Sequence, residues 1–187
     1  PDEGFVGEDS FTYKTRDEEG AISELATVTI IVNDIPEAVD DEYAATEDTL
    51  LVVAAPGVLG NDINEEEVAT LTAQLVSNVS HGELSLSSNG SFTYMPDENI
   101  FGEDSFTYKA CEGSLCSEPV EVTLTIEPVN DEPVAHDVVI TTAEDTAVSI
   151  TLDVSDVEGD DLVASIVTPP AHGVAVVSGT VVIYTPE

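Results

Sequence analysis

Apolar and polar side chains alternate along Ser91 to Tyr94, Ser105 to Cys111 and Val120 to Ile126, as they must in a strand with one buried face. These stretches are rich in Thr, Val, Phe and Tyr, and turn signals at Asn89-Gly90 and Gly113 punctuate them. Leu50 to Ala54, Thr70 to Val76 and Glu83 to Leu86 add further strands. The pattern predicts about seven strands in a segment of ~95 residues, the count and size of an immunoglobulin-like sandwich. No stretch keeps a helical period, so the predicted fold is all-β, a Greek-key sandwich.

The pattern also repeats. Gly-Glu-Asp-Ser-Phe-Thr-Tyr-Lys runs from Gly7 to Lys14 and again from Gly102 to Lys109. Val32-Asn33-Asp34 recurs as Val129-Asn130-Asp131, Glu47-Asp48-Thr49 as Glu144-Asp145-Thr146, and His81-Gly82 as His172-Gly173. Pro1-Asp2-Glu3 matches Pro96-Asp97-Glu98 inside the second copy, while Tyr184 to Glu187 matches Tyr94 to Asp97. The expected order is half domain, whole domain, half domain. Residues 1–35 are the carboxyl half of one repeat, 36–130 a complete repeat, and 131–187 the amino half of the next.

Composition narrows the partners. The 187 residues carry 39 Asp and Glu against 3 Lys and Arg, a formal net charge of -36. Nucleic acid and anionic membrane surfaces are excluded, because binding either requires Lys and Arg to replace counterions. Disorder is excluded too, since 42% apolar residues and a mean hydropathy of +0.08 allow extensive burial. Direct membrane insertion is not expected: the best apolar run, Leu50 to Leu59, is broken by Pro56 and Gly57. Carboxylates this crowded repel unless salt screens them or cations bind among them.

The acidic residues recur at fixed phase where strands end. Glu8 and Asp9 match Glu103 and Asp104, Asn33 and Asp34 match Asn130 and Asp131, and Glu47 matches Glu144. Asp62-Ile63-Asn64 and Asp156-Val157-Glu158 occupy one place in their copies. Oxygens gathered at a strand-end junction suit Ca²⁺, which takes roughly 6 to 8 oxygen ligands in irregular geometry. An EF-hand is excluded, because Asp161 and Ala73 stand where that loop needs its Gly and its bidentate Glu. The glycine-rich nonapeptide of calcium-binding β-rolls does not occur.

At these motifs, together with Asn130 to Val134, His81 to Leu84 and Gly90 to Tyr94, the chain resembles the bacterial cadherin-like (VCBS-type) tandem repeats of large secreted, RTX-type adhesins. The resemblance implies a secreted or cell-surface rod of sandwiches with Ca²⁺ between neighbouring repeats. By analogy with cadherins, Glu47 and Asp104 come from the upper domain of the second junction, with Glu144 the counterpart of Glu47. Asn130 and Asp131 are then its linker ligands, and Asp156 and Glu158 come from the lower domain. The other junction takes Asp9, Asn33, Asp34, Asp62 and Asn64, with Glu112 as a further candidate. Cadherin linkers carry an Asp where this chain has Pro128 and Ile31, and Asn64 replaces an acid, so fewer or weaker ions per junction are expected.

Cys111 and Cys116 flank a predicted turn between strands, where a hairpin can bring two Cα atoms within the ~4.4 to 6.8 Å of a disulfide. An extracellular setting favours that bond. His81 and His172 precede Gly at the same turn and are expected to be structural. Motifs for nucleophilic, metallohydrolase or phosphate chemistry are not present, so no enzyme is expected.

Two functions are consistent with these features. One is a calcium-dependent structural extender supporting cell adhesion or biofilm formation; the other is a module binding carbohydrate, a cell-surface receptor or an identical partner. The absence of Trp and the inward phase of the repeated Phe and Tyr favour the extender. The two half repeats also suggest head-to-tail self-association, each completing the other between chains.

Overall fold

The computed structural model describes residues 5–64 and 70–187. The chain divides into two compact units, residues 1–127 and 128–187.

Within the first unit, residues 36–127 form a two-sheet sandwich. One sheet has the order β3 (Asp41–Thr46), β10 (Val120–Glu127), β8 (Gly102–Glu112), β5 (Thr72–Ser77), with the two-residue β9 (Leu115–Cys116) also on β8. The other is β4 (Leu51–Val53), β7 (Phe92–Pro96), β6 (Gly82–Leu86). All neighbours are antiparallel except β3 and β10. Alternation along β8 sends Asp104, Phe106, Tyr108 and Ala110 inward, and along β10 Val122, Leu124 and Ile126. They meet Phe92 and Tyr94 from the facing sheet, with Phe92 edge-on to Phe106 at 5.5 Å and to Tyr43 at 5.0 Å. Each large apolar side chain buried here contributes roughly 1.5–3 kcal/mol. Strand β3 escapes the sequence reading because only Tyr43 and Ala45 mark its inner face.

Strands β1 (Gly7–Tyr13) and β2 (Ala26–Val32) form a separate two-stranded antiparallel sheet in the same unit. Its octapeptide is that of β8, and its local bonding repeats too. Ser23 N–H donates to the Thr15 carbonyl at 2.9 Å and Thr15 N–H to Ser23 Oγ at 3.0 Å, as Ser117 N–H does to Ala110 and Ala110 N–H to Ser117 Oγ at 2.9 and 3.1 Å. Burial does not repeat: Phe11 and Tyr13 are 54% and 46% exposed, Phe106 and Tyr108 both 0%.

The second unit pairs β11 (Val134–Ala135) with β13 (Val154–Ser155), and β12 (Val148–Thr151) with β15 (Val181–Pro186) and β14 (Gly173–Ser178). The three-stranded sheet keeps the register of β4-β7-β6: Leu51 opposite Tyr94 becomes Val148 opposite Tyr184, and Gly82 opposite Pro96 becomes Gly173 opposite Pro186. None of its residues is fully buried.

Candidate metal centre

The first linker is Asn33-Asp34, where the Asp34 carboxylate accepts from the Ile35 amide at 2.8 Å. Reciprocal backbone bonds between Glu37 and Ile63, 3.0 and 2.9 Å, draw the Asp62-Ile63-Asn64 segment alongside it. From β8, Glu112 joins Ile31 and Asn33 around a groove closed by Gly113, Ser114 and Leu115. Cys111 and Cys116 are joined as a disulfide with Cα atoms 4.1 Å apart, which braces the hairpin that presents Glu112. Among the described residues Glu112 Oε2 is buried without a hydrogen-bond partner.

The second linker is Asn130-Asp131. Asn130 Nδ2 donates to the Asp131 carbonyl at 2.9 Å, and the Asp131 amide donates to Glu158 Oε2 at 3.2 Å. Carboxylate oxygens of Asp131 and Glu158 lie within 4.8 Å of one another. Glu158 Oε1 is buried and has no hydrogen-bond partner among the described residues. Asp156 Oδ1 accepts from the Asp160 amide at 3.0 Å, closing a turn that contains Gly159, whose φ is +79°. Burying a carboxylate oxygen without a donor costs several kcal/mol unless a cation is bound there. The donor set, carboxylate and amide oxygens beside an unpaired buried carboxylate oxygen, therefore fits a hard cation such as Ca²⁺.

The remaining sequence candidates have local surroundings of their own. Glu47 and Glu144 each precede a left-handed Asp, φ +55° at both Asp48 and Asp145, in one recurring turn. Glu47 is fully buried and its amide donates to Glu127, whereas Glu144 is exposed. Asp104 is held by four donors: Ser80 and Ser105 amides on Oδ1 at 2.9 and 2.8 Å, the His81 amide and Tyr94 hydroxyl on Oδ2, both at 3.0 Å. The three amides fix the Ser80-His81 turn on Asp104, while the Tyr94 hydroxyl divides its one proton between Asp104 and the His81 carbonyl. Burial would raise its pKa, but those four bonds outweigh it and hold the carboxyl below the usual range. His81 serves through its backbone, with its carbonyl accepting from Tyr94 at 2.8 Å. Asp9, in the same motif, accepts from the Ser10 amide alone among the described residues, at 2.7 Å.

Asp62 is partly committed. It accepts from the Val39 amide at 2.9 Å, and the Tyr108 hydroxyl lies 2.9 and 3.1 Å from its two oxygens. Burial lifts its pKa, and the Val39 and Tyr108 bonds partly offset this. Asp41, 3.3 Å from the same hydroxyl, was not singled out from sequence. Burial pushes it up to about 6; Tyr108 opposes the shift, while Asp62 and Asp40 add to it.

No curated protein matches the chain. Among solved structures it is similar to protocadherin gamma B2 extracellular cadherin domains 1–5, at 14% identity and a TM-score of 0.52, covering 98% of this chain and 46% of that one. It is also similar to the EC1–4 segment of PcdhgB3, at 11% identity and a TM-score of 0.54, covering 98% and 57%. An endo-fucoidan hydrolase of glycoside hydrolase family 107 matches at 19% identity with a TM-score of 0.42, covering 98% and 30%, a likeness too small to bear on activity. The chain thus spans less than two thirds of each of these structures. The cadherin likenesses concern the fold, which is that of cadherin domains. A bacterial Ig domain model matches residues 130–187. A bacterial cadherin-like domain model matches residues 33–128, more than half of the chain, and the protein belongs to that family.

Proposed function

We propose that this chain is a calcium-binding extender segment of a bacterial cell-surface or secreted adhesin, non-enzymatic, supporting adhesion or biofilm formation. Bacterial cadherin-like and Ig domains are usually extracellular, and no helix among the described residues is long and apolar enough to cross a membrane. The observation that carries the reading is Glu158 Oε1, buried without a donor beside the Asp131 carboxylate in a chain of net charge -36. Asn130, Asp131, Asp156 and Glu158 are the proposed ligands at the second linker. Asn33, Asp34, Asn64 and Glu112 are those at the first, with Asp62 between ligand and structural roles. Ca²⁺ there would neutralise the buried charge and stiffen each linker.

The test is thermal unfolding in excess EDTA and in millimolar CaCl₂ at matched ionic strength. A ligand that binds only the folded state stabilises by about 2.7 kcal/mol at a hundredfold excess over Kd. A saturable rise in Tm with calcium, reduced in Glu158→Gln and Glu112→Gln, is expected. A shift no larger than the salt control, or one unchanged in both variants, would refute the assignment.

A further inference from the structure

The hairpin that follows the repeated octapeptide is closed by a disulfide in one copy and by backbone pairing in the other. We infer that the Cys111–Cys116 disulfide holds Glu112 in place as a cation ligand at the first linker, so that reduction by a dithiol weakens Ca²⁺ binding there and bound Ca²⁺ protects the disulfide. The inference rests on the calcium reading of that linker and adds a redox control to it.

The two hairpins are anchored alike by the Thr15–Ser23 and Ala110–Ser117 bonds. Beyond those anchors Arg16 lies opposite Ile22 and Cys111 opposite Cys116, which makes Glu112 the counterpart of Asp17. Asp17 is committed inside its own loop. Its Oδ1 accepts from the Ala21 amide at 2.7 Å and its carbonyl from the Gly20 amide at 3.2 Å. In the other hairpin the loop is cut to Gly113-Ser114, with Gly113 at φ +58°. Glu112 lines a groove with Ile31 and Asn33, and its Oε2 is buried without a hydrogen-bond partner among the described residues. One position thus closes a loop in the first copy and joins the linker in the second.

Little besides the disulfide fixes the Glu112 backbone. Strand β9 has two residues, so the ladder beyond the Ser117 anchor consists of the Cys111–Cys116 and Glu112–Leu115 pairs. Gly113 and Ser114 are exposed and Leu115 is half-buried. A two-stranded hairpin is marginal in water by itself, and one this short relies on the covalent link at its base. Freeing the backbone of one ligand residue is worth roughly tenfold in a binding constant.

The opening step is an exchange with a dithiol. A donor thiolate attacks the Cys116 sulfur, the S–S bond breaks, and the electron pair leaves on Cys111. The donor's second thiolate then attacks its own sulfur in the mixed disulfide and releases Cys116; the donor ends as a disulfide and its two protons end on Cys111 and Cys116. Cys116 is the accessible partner, half-buried where Cys111 is 5% exposed. Gln74 Oε1, 3.8 Å from the Cys111 sulfur, can accept from the new thiol and keep Cys111 in place, so the 112–116 arm is the part released. Coupling between two equilibria is reciprocal, so calcium must make the disulfide harder to reduce by the factor that the disulfide adds to calcium affinity.

Calorimetric calcium titrations use the full chain at matched ionic strength, oxidised and in excess dithiothreitol, with circular dichroism of tyrosine monitoring the fold. Glu158→Gln leaves the first linker intact, and Glu112→Gln the second. Reduction should weaken binding about tenfold in Glu158→Gln and leave it unchanged in Glu112→Gln. No loss in either variant, or an equal loss in both, overturns the inference while the calcium reading stands. If adding Glu112→Gln to Glu158→Gln leaves the titration of the oxidised chain unaltered, the first linker holds no ion and both readings fall. A second measurement serves even where reduction loosens the chain: the equilibrium with dithiothreitol, read by mass after thiol alkylation, in EDTA and in CaCl₂. Calcium should lower the reduction potential by about 30 mV, the equivalent of tenfold for two electrons, in the parent and not in Glu112→Gln. Equal shifts in the two chains, or none in the parent, overturn the inference.

Discussion

The repeated octapeptide allows one substitution to be made twice in one molecule. Asp104→Asn and Asp9→Asn change the same residue of the same motif. At Asp104 the Asn carbonyl can keep the Ser80 and Ser105 amides, while its NH₂ faces the His81 amide at what was a 3.0 Å bond. That leaves one buried N–H without an acceptor and removes charge from the bonds that remain. An orphaned donor costs roughly 1–3 kcal/mol, and losing the charge adds to it, so the expected loss is about 3 kcal/mol. Tyr94 does not add much, because its hydroxyl keeps the His81 carbonyl at 2.8 Å. Asp9 has one exposed bond to Ser10, so its substitution should cost under about 0.5 kcal/mol. The assay is urea unfolding followed by near-ultraviolet circular dichroism of tyrosine, at micromolar protein to keep chains apart. The pH dependence carries a second sign. Because the folded pKa of Asp104 is lowered, its stabilisation is present above the ordinary carboxylate range and is lost as pH falls through the folded value. The gap between the parent chain and Asp104→Asn should therefore close in acid. Equal effects of the two substitutions, or a gap that persists in acid, would refute the turn-fixing role.

Asp41 should show the opposite sign. Its folded pKa of about 6 exceeds the ordinary 3.8, so its neutral form favours folding below that value and the advantage disappears as pH rises through about 6. Asp41→Asn should gain in urea midpoint relative to the parent at pH 7.5 and less at pH 4.5; the same difference at both would contradict this. Gly90 has φ +83° and a Cβ there would stand 1.9 Å from the Pro56 carbonyl oxygen, while Gly113, φ +58°, faces open space. Gly90→Ala should thus cost about 3 kcal/mol or more and Gly113→Ala about 1 kcal/mol, compared by denaturant midpoint. Leu124→Ala, in the core, should cost about 2–5 kcal/mol, against under about 1 kcal/mol for Ile30→Ala at the matching register position, where the side chain is largely exposed.

Much of the architecture was legible in the residues. Alternation located β5 to β8 and β10 to within a few residues, because a strand's side chains face opposite sides in strict turn and one-sided burial writes that period into the sequence. The recurrence of motifs carried further, since β14 and β15 repeat the register of β6 and β7. Acidic residues at strand ends were also visible, and two of them, Asp131 and Glu158, share a linker in the structure.

Burial and the roles that follow from it were settled only by the tertiary structure. Phe11 and Phe106 sit in identical octapeptides, yet one is half exposed and the other sealed in a core, because burial belongs to the facing sheet and not to the residue. Asp9 and Asp104 read alike for the same reason. Recurrence marks both as important without saying whether a cation or four donors would occupy them, and three of those donors come from Ser80, His81 and Tyr94, which lie 10 to 24 residues away from Asp104 in the chain. The Tyr108 hydroxyl likewise gathers Asp41 and Asp62 from 67 and 46 residues away. Periodicity is a local property and survives in any copy of the repeat; partners arrive by chain reversal, and only where the covering strands are present does the same sequence become a core.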